Sequence, residues 1–287
     1  MKTHTNRAYL PLVNTRAQNK RQQQFMTGAI CGDIAGSFYE WSRTKTKDDV
    51  QIFHPDSDFT DDTVLTLAVA DAILNHRSYK DTIVAYGRKY HGRGYGNRFS
   101  KFLHSTDPQP YNSFGNGSAM RVSPVGWAFD TEEEVMQQAA ASAAPSHNHA
   151  EGIKGAQSVA MGIFWARTGK SKPEIRHLLT SRFGYDLNPT MERIRPVASF
   201  NETCQVSVPE AISAFLDSDN YTDAVRNAIS LGADADTQAA IAGGIAEAFY
   251  GRVPETIAEK AKKYLPEEFL TLITTFYHTF INHRPWQ

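Results

Sequence analysis

The chain is poor in cysteine, with only Cys31 and Cys204 among 287 residues. That excludes a disulfide framework and fits a reducing compartment. It also lacks long apolar runs. No stretch reaches the roughly 18 residues needed to span a membrane, and the polar N-terminus has no apolar core of a secretory signal. Strand signals are nearly missing, with weak ones only at Gln51 to Phe53 and Gln205 to Val208. The net charge of −1 gives no bulk case for nucleic acid or a membrane surface. Neither a 20–50 residue repeat nor a Pro/Ser-rich hinge interrupts residues 25–287. These absences lead to the expectation of a cytoplasmic protein without membrane or nucleic-acid partners.

What is present is helical. Hydrophobic residues make up 41% of the chain, enough for a substantial core. The segment Phe25 to Ser37 is rich in Gly and Ala, which permits close helix packing. Val64, Leu65, Leu67, Ala68, Val69, Ala72 and Ile73 are apolar on most sides of a helix and predict a buried one. The run from Asp236 to Tyr250 reads the same way. Further helices are expected over Ser78 to His91, from a capping box at Thr131 and Glu134 through Ala144, and over His149 to Arg167. Others run from Ser171 with Pro173 through Leu179, Pro209 to Leu216, Thr222 to Ile229, Pro254 to Tyr264 and Pro266 to Asn282. The expected fold is one all-α domain, residues 25–287. Before it lies an arm, residues 1–24, whose Lys2, Arg7, Arg16, Lys20 and Arg21 make it +5 and leave the body −6. Its Asn/Gln-rich composition reads as flexible in isolation.

Two acidic strings carry the chemistry: Thr60-Asp61-Asp62-Thr63 and Asp234-Ala235-Asp236-Thr237. Asp and Thr cap helices routinely. Here, however, the carboxylates open nearly all-apolar helices with no Lys or Arg close in sequence, and buried carboxylates need a counter-charge. Thr60, Asp61, Asp62, Asp234, Asp236 and Thr237 are hard oxygen ligands, suited to Mg²⁺, Mn²⁺ or Ca²⁺ rather than zinc. A second constellation is Ser113-Phe114-Gly115-Asn116-Gly117-Ser118-Ala119-Met120-Arg121. Its glycines would let backbone N–H groups converge on an anion, with Phe114 free to stack on a flat base; an ordinary glycine turn before Pro124 reads equally well. A third, Ser146-His147-Asn148-His149, offers polar pocket walls or a helix cap, without the spacing of a zinc site.

In order, Gly32-Asp33-Ile34-Ala35-Gly36-Ser37-Phe38-Tyr39-Glu40, Phe59-Thr60-Asp61-Asp62-Thr63, Gly115-Asn116-Gly117-Ser118-Ala119-Met120-Arg121, Ser146-His147-Asn148-His149 and Gly232-Ala233-Asp234-Ala235-Asp236-Thr237 resemble the motifs of the ADP-ribosylglycohydrolase family over roughly residues 25–252. The resemblance implies a single compact orthogonal helical bundle with a binuclear Mg²⁺ or Mn²⁺ site. It implies a hydrolase that removes ADP-ribose from modified protein side chains, arginine favoured over serine. The implied metal ligands are Thr60, Asp61, Asp62, Asp234, Asp236 and Thr237, and Glu40 resembles the family's mobile acidic residue. The implied catalytic carboxylates are Asp61, Asp62 and Glu40. Gly115, Asn116, Gly117 and Ser118 resemble the diphosphate cradle, Phe114 the adenine-stacking aromatic, and His147 a polar ligand contact. Ala233 stands where many members carry glycine. Some members serve as immunity proteins against ADP-ribosyltransferase toxins, so the arm, through Arg7 and Arg16, is a candidate for binding such a toxin. The competing readings are a non-catalytic immunity protein that occludes a toxin and a metal-dependent phosphohydrolase.

Overall fold

The computed structural model describes residues 27–281, and they form an all-α domain. In order the helices are α1 (Gly28–Ser37), α2 (Asp61–Leu74), α3 (Tyr79–Lys89), α4 (Asn97–His104), α5 (Gly117–Met120), α6 (Ser123–Ala128), α7 (Glu132–Ala143) and α8 (Ala150–Arg167). There follow α9 (Lys172–Phe183), α10 (Met191–Ile194), α11 (Cys204–Leu216), α12 (Tyr221–Ile229), α13 (Ala235–Tyr250), α14 (Glu255–Ala261) with a 3₁₀ turn at Lys262–Tyr264, and α15 (Glu267–Phe280). The described residues contain no strand, only an isolated antiparallel bridge between Gly115 and Thr203. None of their helices is long and apolar enough to cross a membrane.

The weak strand signal at Gln205 to Val208 is overturned, because those residues lie in α11. Gln205 and Val206 are exposed while Ser207 and Val208 are buried. That is the two-by-two rhythm of a helix face, and a half-buried strand would alternate singly. Pro209 sits inside α11 and removes one donor. The carbonyl left over belongs to the exposed Gln205, where water can satisfy it. Gln51 to Phe53 forms no strand either. Four short helices, α4, α5, α6 and α10, have no counterpart among the sequence expectations, and α9 runs four residues beyond Leu179.

Two buried helices hold the molecule together. Asp62 to Ile73 of α2 is buried throughout, as is Ala235 to Ala248 of α13. α13 packs against α1, α8, α11 and α12. Its contact with α1 is unusually close and antiparallel. Gly28 faces Gly243 and Glu247, Gly32 faces Ala239, and Gly36 faces Ala235. A Cβ on Gly32 would lie on the Ala239 carbonyl, far inside contact distance. The glycine row therefore lets the two backbones touch, and it fixes the end of α1 beside the start of α13. Glu247 completes the joint from the other end. Its carboxylate accepts from the Gly28 N–H at 2.7 Å and the Thr27 N–H at 3.2 Å, covering donors at the start of α1.

Candidate functional site

Three helix ends converge. Asp33, in the last turns of α1, is fully buried. It accepts from Thr60 Oγ1 at 2.7 Å, Thr60 N at 3.0 Å, Thr63 N at 3.1 Å and Thr63 Oγ1 at 2.5 Å. It therefore supplies an acceptor for the first turn of α2 from outside that helix. Thr60 is the N-cap of α2, its hydroxyl accepting from the Asp62 N–H at 3.3 Å. The start of α13 closes the ring. Asp234 is its N-cap, Asp236 Oδ1 accepts from the Thr237 N–H at 2.9 Å, and Thr237 Oγ1 reaches Asp62 Oδ2 at 3.4 Å. The two acidic strings, 170 residues apart in sequence, thus share one buried site. The turn before α13 needs its glycine at position 232, where φ is +58° and a Cβ would lie 2.9 Å from the Arg43 backbone. Ala233 is not among the residues with positive φ, so the departure there costs no backbone strain.

Carboxylate oxygens of Asp33, Asp62 and Asp236 lie within 4.8 Å of one another, as do those of Glu40, Asp234 and Asp236. Burial first, then carboxylate repulsion from Asp236 and Asp33, holds the carboxyls of Asp61 and Asp62 well above the usual range. Asp236 is raised by burial and by Asp234 and Asp33. Burial pushes Asp33 and Asp234 up to about 6, against the hydrogen bonds each accepts. Glu40, half-buried just beyond α1, is held at about 7 by burial, Asp236 and Glu202, with the Trp41 indole pulling the other way. Asp62 Oδ1 is buried without any hydrogen-bond partner. A ring of mutually repelling carboxylates with an orphaned buried oxygen has the donor set and charge a hard divalent cation requires. Asp61 is half-buried beneath the loop after α3, where its N–H donates to Arg93 O at 2.7 Å and a Cβ on Gly94 would lie 3.3 Å from its carboxylate. On that loop the Tyr95 hydroxyl is buried with no partner and feels the Asp61 charge.

The glycine loop lies alongside. Asn116 turns its side chain inward, donating to Asp234 Oδ2 at 2.6 Å and to Ser207 Oγ at 3.1 Å. It thereby orients an acidic residue of the cluster. The backbone N–H groups of Gly115 and Asn116 donate to Ser113 Oγ and to Glu202 O, and the buried Ser118 hydroxyl donates to Gly152 O at 2.7 Å. Gly117 opens α5 beside His147, whose Nε2 would be 3.1 Å from a Cβ placed there. Phe114 is exposed, edge-on to His149 with ring centroids 5.4 Å apart. His149 is the N-cap of α8, its ring accepting from the Glu151 N–H at 3.1 Å.

His147 is neutral, driven well below its ordinary value by burial and by the Arg121 and Arg98 charges. Arg121 donates to Ser146 Oγ at 3.0 Å, and Ser146 Oγ lies 2.7 Å from His147 Nδ1. The buried Ser146 hydroxyl thus links the Arg121 guanidinium to the His147 ring, whose Nε2 faces the glycine loop.

The ADP-ribosylglycohydrolase family model matches residues 14–284. The chain belongs to the ADP-ribosylglycohydrolase family. Membership makes it a hydrolase of ADP-ribose glycosidic bonds. It is 26% identical to the ADP-ribosylhydrolase ARH3 of Homo sapiens over 326 residues, covering 85% of this chain and 90% of that protein. The Bos taurus ADP-ribosylhydrolase ARH3 is also 26% identical, over 89% of this chain and 92% of its own length. A solved structure described as an ADP-ribosylglycohydrolase-related protein complex shares the fold, with a TM-score of 0.63 at 22% identity. The match covers 88% of this chain and 96% of that one.

The family match begins at residue 14, inside the segment read as an arm. Arg7 and Arg16 lie outside the described residues. Two residues of this candidate site, Asp33 and Tyr95, are not among the site residues the sequence suggests. Asp33 carried a signal, since it is a lone charge in a Gly/Ala helix with no polar face. Tyr95 carried none.

Proposed function

We propose that this glycohydrolase removes ADP-ribose from modified arginine side chains of proteins, using divalent cations held by the acidic ring. The observation that carries the reading is the buried convergence of Asp33, Asp62, Asp234, Asp236 and Glu40, with an orphaned oxygen on Asp62. The Thr60 and Thr237 hydroxyls reach Asp62 Oδ2, and Asp61 lies close enough to feel the Asp236 and Asp33 charges. A bound Mg²⁺ or Mn²⁺ would supply Lewis-acid polarisation and lower the pKa of an adjacent water.

The chain's own groups do the rest. Hydrolysis forms a bond from water oxygen to C1″ of the ribose and breaks the bond from C1″ to the side-chain nitrogen. The departing nitrogen keeps the electron pair and takes a proton. A carboxylate must accept the water's proton, and Glu40 suits the task best among Glu40, Asp61 and Asp62. It borders Asp234 and Asp236 yet keeps solvent access on its other side. Negative charge around C1″ also favours the oxocarbenium-like centre that develops there. Within the Gly115-to-Ser118 loop the Gly117 and Ser118 N–H groups at the start of α5 would hold the diphosphate, since those of Gly115 and Asn116 are already bonded, and Phe114 would stack on adenine. Binding energy from this remote half of the substrate helps to position the scissile bond.

The test is incubation of the purified protein with arginine- and serine-ADP-ribosylated proteins, with and without chelator, the product being identified by mass. Cation-dependent release of intact ADP-ribose from the arginine substrate is expected. Release of phosphate or AMP instead would establish the phosphohydrolase reading, and no release would leave a non-catalytic binder.

A further inference from the structure

The rim of the acidic ring carries an aromatic surface that the proposed mechanism leaves unused. Trp41 directly follows Glu40 and is 78% exposed. One face of its indole stacks on Phe200, with centroids 6.1 Å apart and planes 21° from parallel, and Phe200 is itself 39% exposed. Large aromatics left this open usually mark a contact surface. The pair is also held in place. Lys45, four residues past Trp41, turns its ammonium onto the carbonyls of Arg195 at 3.1 Å, Ala198 at 2.5 Å and Leu231 at 2.5 Å. That ties the segment bearing Trp41 to the segment bearing Phe200. The same contacts take the nearest lysine away from the rim. Two carboxylates lie at this rim, Glu40 beside Trp41 and Glu202 two residues after Phe200, close enough for their charges to repel, while the exposed Arg43 follows Trp41 by two residues.

A stacked aromatic face flanked by two carboxylates suits a flat cation. We infer that Trp41, backed by Phe200, is the platform for the leaving group, its open face receiving the guanidinium of an ADP-ribosylated arginine while Glu40 and Glu202 offset the charge. This rests on the proposed function and adds the residues that choose the linked side chain. A guanidinium stacks well on an indole face and keeps its edges free for carboxylates. A serine linkage offers neither plane nor charge.

The experiment measures kcat and KM of the full chain, with saturating Mg²⁺, on matched arginine- and serine-ADP-ribosylated peptides. It compares wild type with Trp41→Ala, Trp41→Phe and Phe200→Ala, and measures the Kd of free ADP-ribose for each. Trp41→Ala should raise KM for the arginine peptide about threefold to thirtyfold, the range of a cation–π contact, while KM for the serine peptide stays within about twofold; any change in kcat from losing the indole bond to Glu40 should be shared by both peptides. Its affinity for free ADP-ribose should be unchanged, and Trp41→Phe should recover most of the loss. Phe200→Ala should act in the same direction more weakly. An unchanged KM in Trp41→Ala overturns the platform. So does a wild type that prefers the serine peptide, or a Trp41→Ala that loses ADP-ribose affinity equally. A wild type that releases ADP-ribose from neither peptide overturns the functional reading itself, and the platform with it.

Discussion

Replacing Asp33 with asparagine separates what this residue does for stability from what it does for the site. Its carboxylate is fully buried and pushed from near 3.8 up to about 6. At 1.36 kcal/mol per tenfold change in proton affinity, holding it charged at pH 8 costs about 3 kcal/mol. Because the folded state binds that proton more tightly than the unfolded chain, Asp33 favours folding below about pH 4. That contribution disappears as the pH rises through about 6. Asparagine can keep its oxygen on Thr60 N, Thr63 N and Thr63 Oγ1, and turn its amide toward Thr60 Oγ1, which can accept. Weaker bonds from a neutral acceptor offset about 1–2 kcal/mol of the gain. In chelator at pH 8, Asp33→Asn should therefore be more stable than wild type by about 1–2 kcal/mol, or roughly 2–4 °C in Tm for a chain of this size. The difference should fade on lowering the pH to 4. With Mg²⁺ added, wild type should gain Tm while the variant gains much less. The assay is thermal denaturation followed by circular dichroism across pH, with chelator and with Mg²⁺. A variant that is less stable in chelator at pH 8, yet keeps the full Mg²⁺-induced rise, would refute this account of Asp33.

Other expectations follow from particular contacts. Asn116→Ala removes the amide that orients Asp234; calorimetry should show divalent-cation affinity lower by about 10–100-fold. Gly32→Val would drive a side chain into the α13 backbone; urea melts should show a loss of more than about 3 kcal/mol, or no folded protein. Deletion of the arm tests the reading that it binds a transferase and is dispensable for hydrolysis. Deleting residues 1–24 should leave ADP-ribose release intact while abolishing binding to an ADP-ribosyltransferase in a pull-down; equal binding by the truncated chain would leave the arm without that role.

The site was legible where local chemistry was extreme. Four carboxylates at the starts of two all-apolar helices could not all be surface caps, and the structure buries Asp62, Asp234 and Asp236 with Asp61 half-buried beside them. The capping box at Thr131/Glu134 and the proline after Ser171 announced the starts of α7 and α9 for the same reason, since they are settled within one turn. What was not legible depends on distant partners. Asp33 gains its role from Thr60 and Thr63 across the α1–α2 gap, and Asn116 from Asp234, 118 residues away. The α11 start was misread because Val206 and Val208 mimic strand alternation. The packing of Ser207 and Val208 into the core decides for helix, overriding a weak propensity. Helices of four residues, such as α5 and α10, are too short to show a period at all.

The central claim is that one buried ring of carboxylates from two distant strings performs the hydrolysis, and the Asp61→Ala, Asp234→Ala double variant tests it most directly. Its turnover of an arginine-ADP-ribosylated protein should be measured beside wild type in saturating Mg²⁺, with circular dichroism confirming that both are folded. The account predicts a folded variant whose ADP-ribose release falls by at least about a thousandfold. A folded double variant that releases ADP-ribose at the wild-type rate would contradict it.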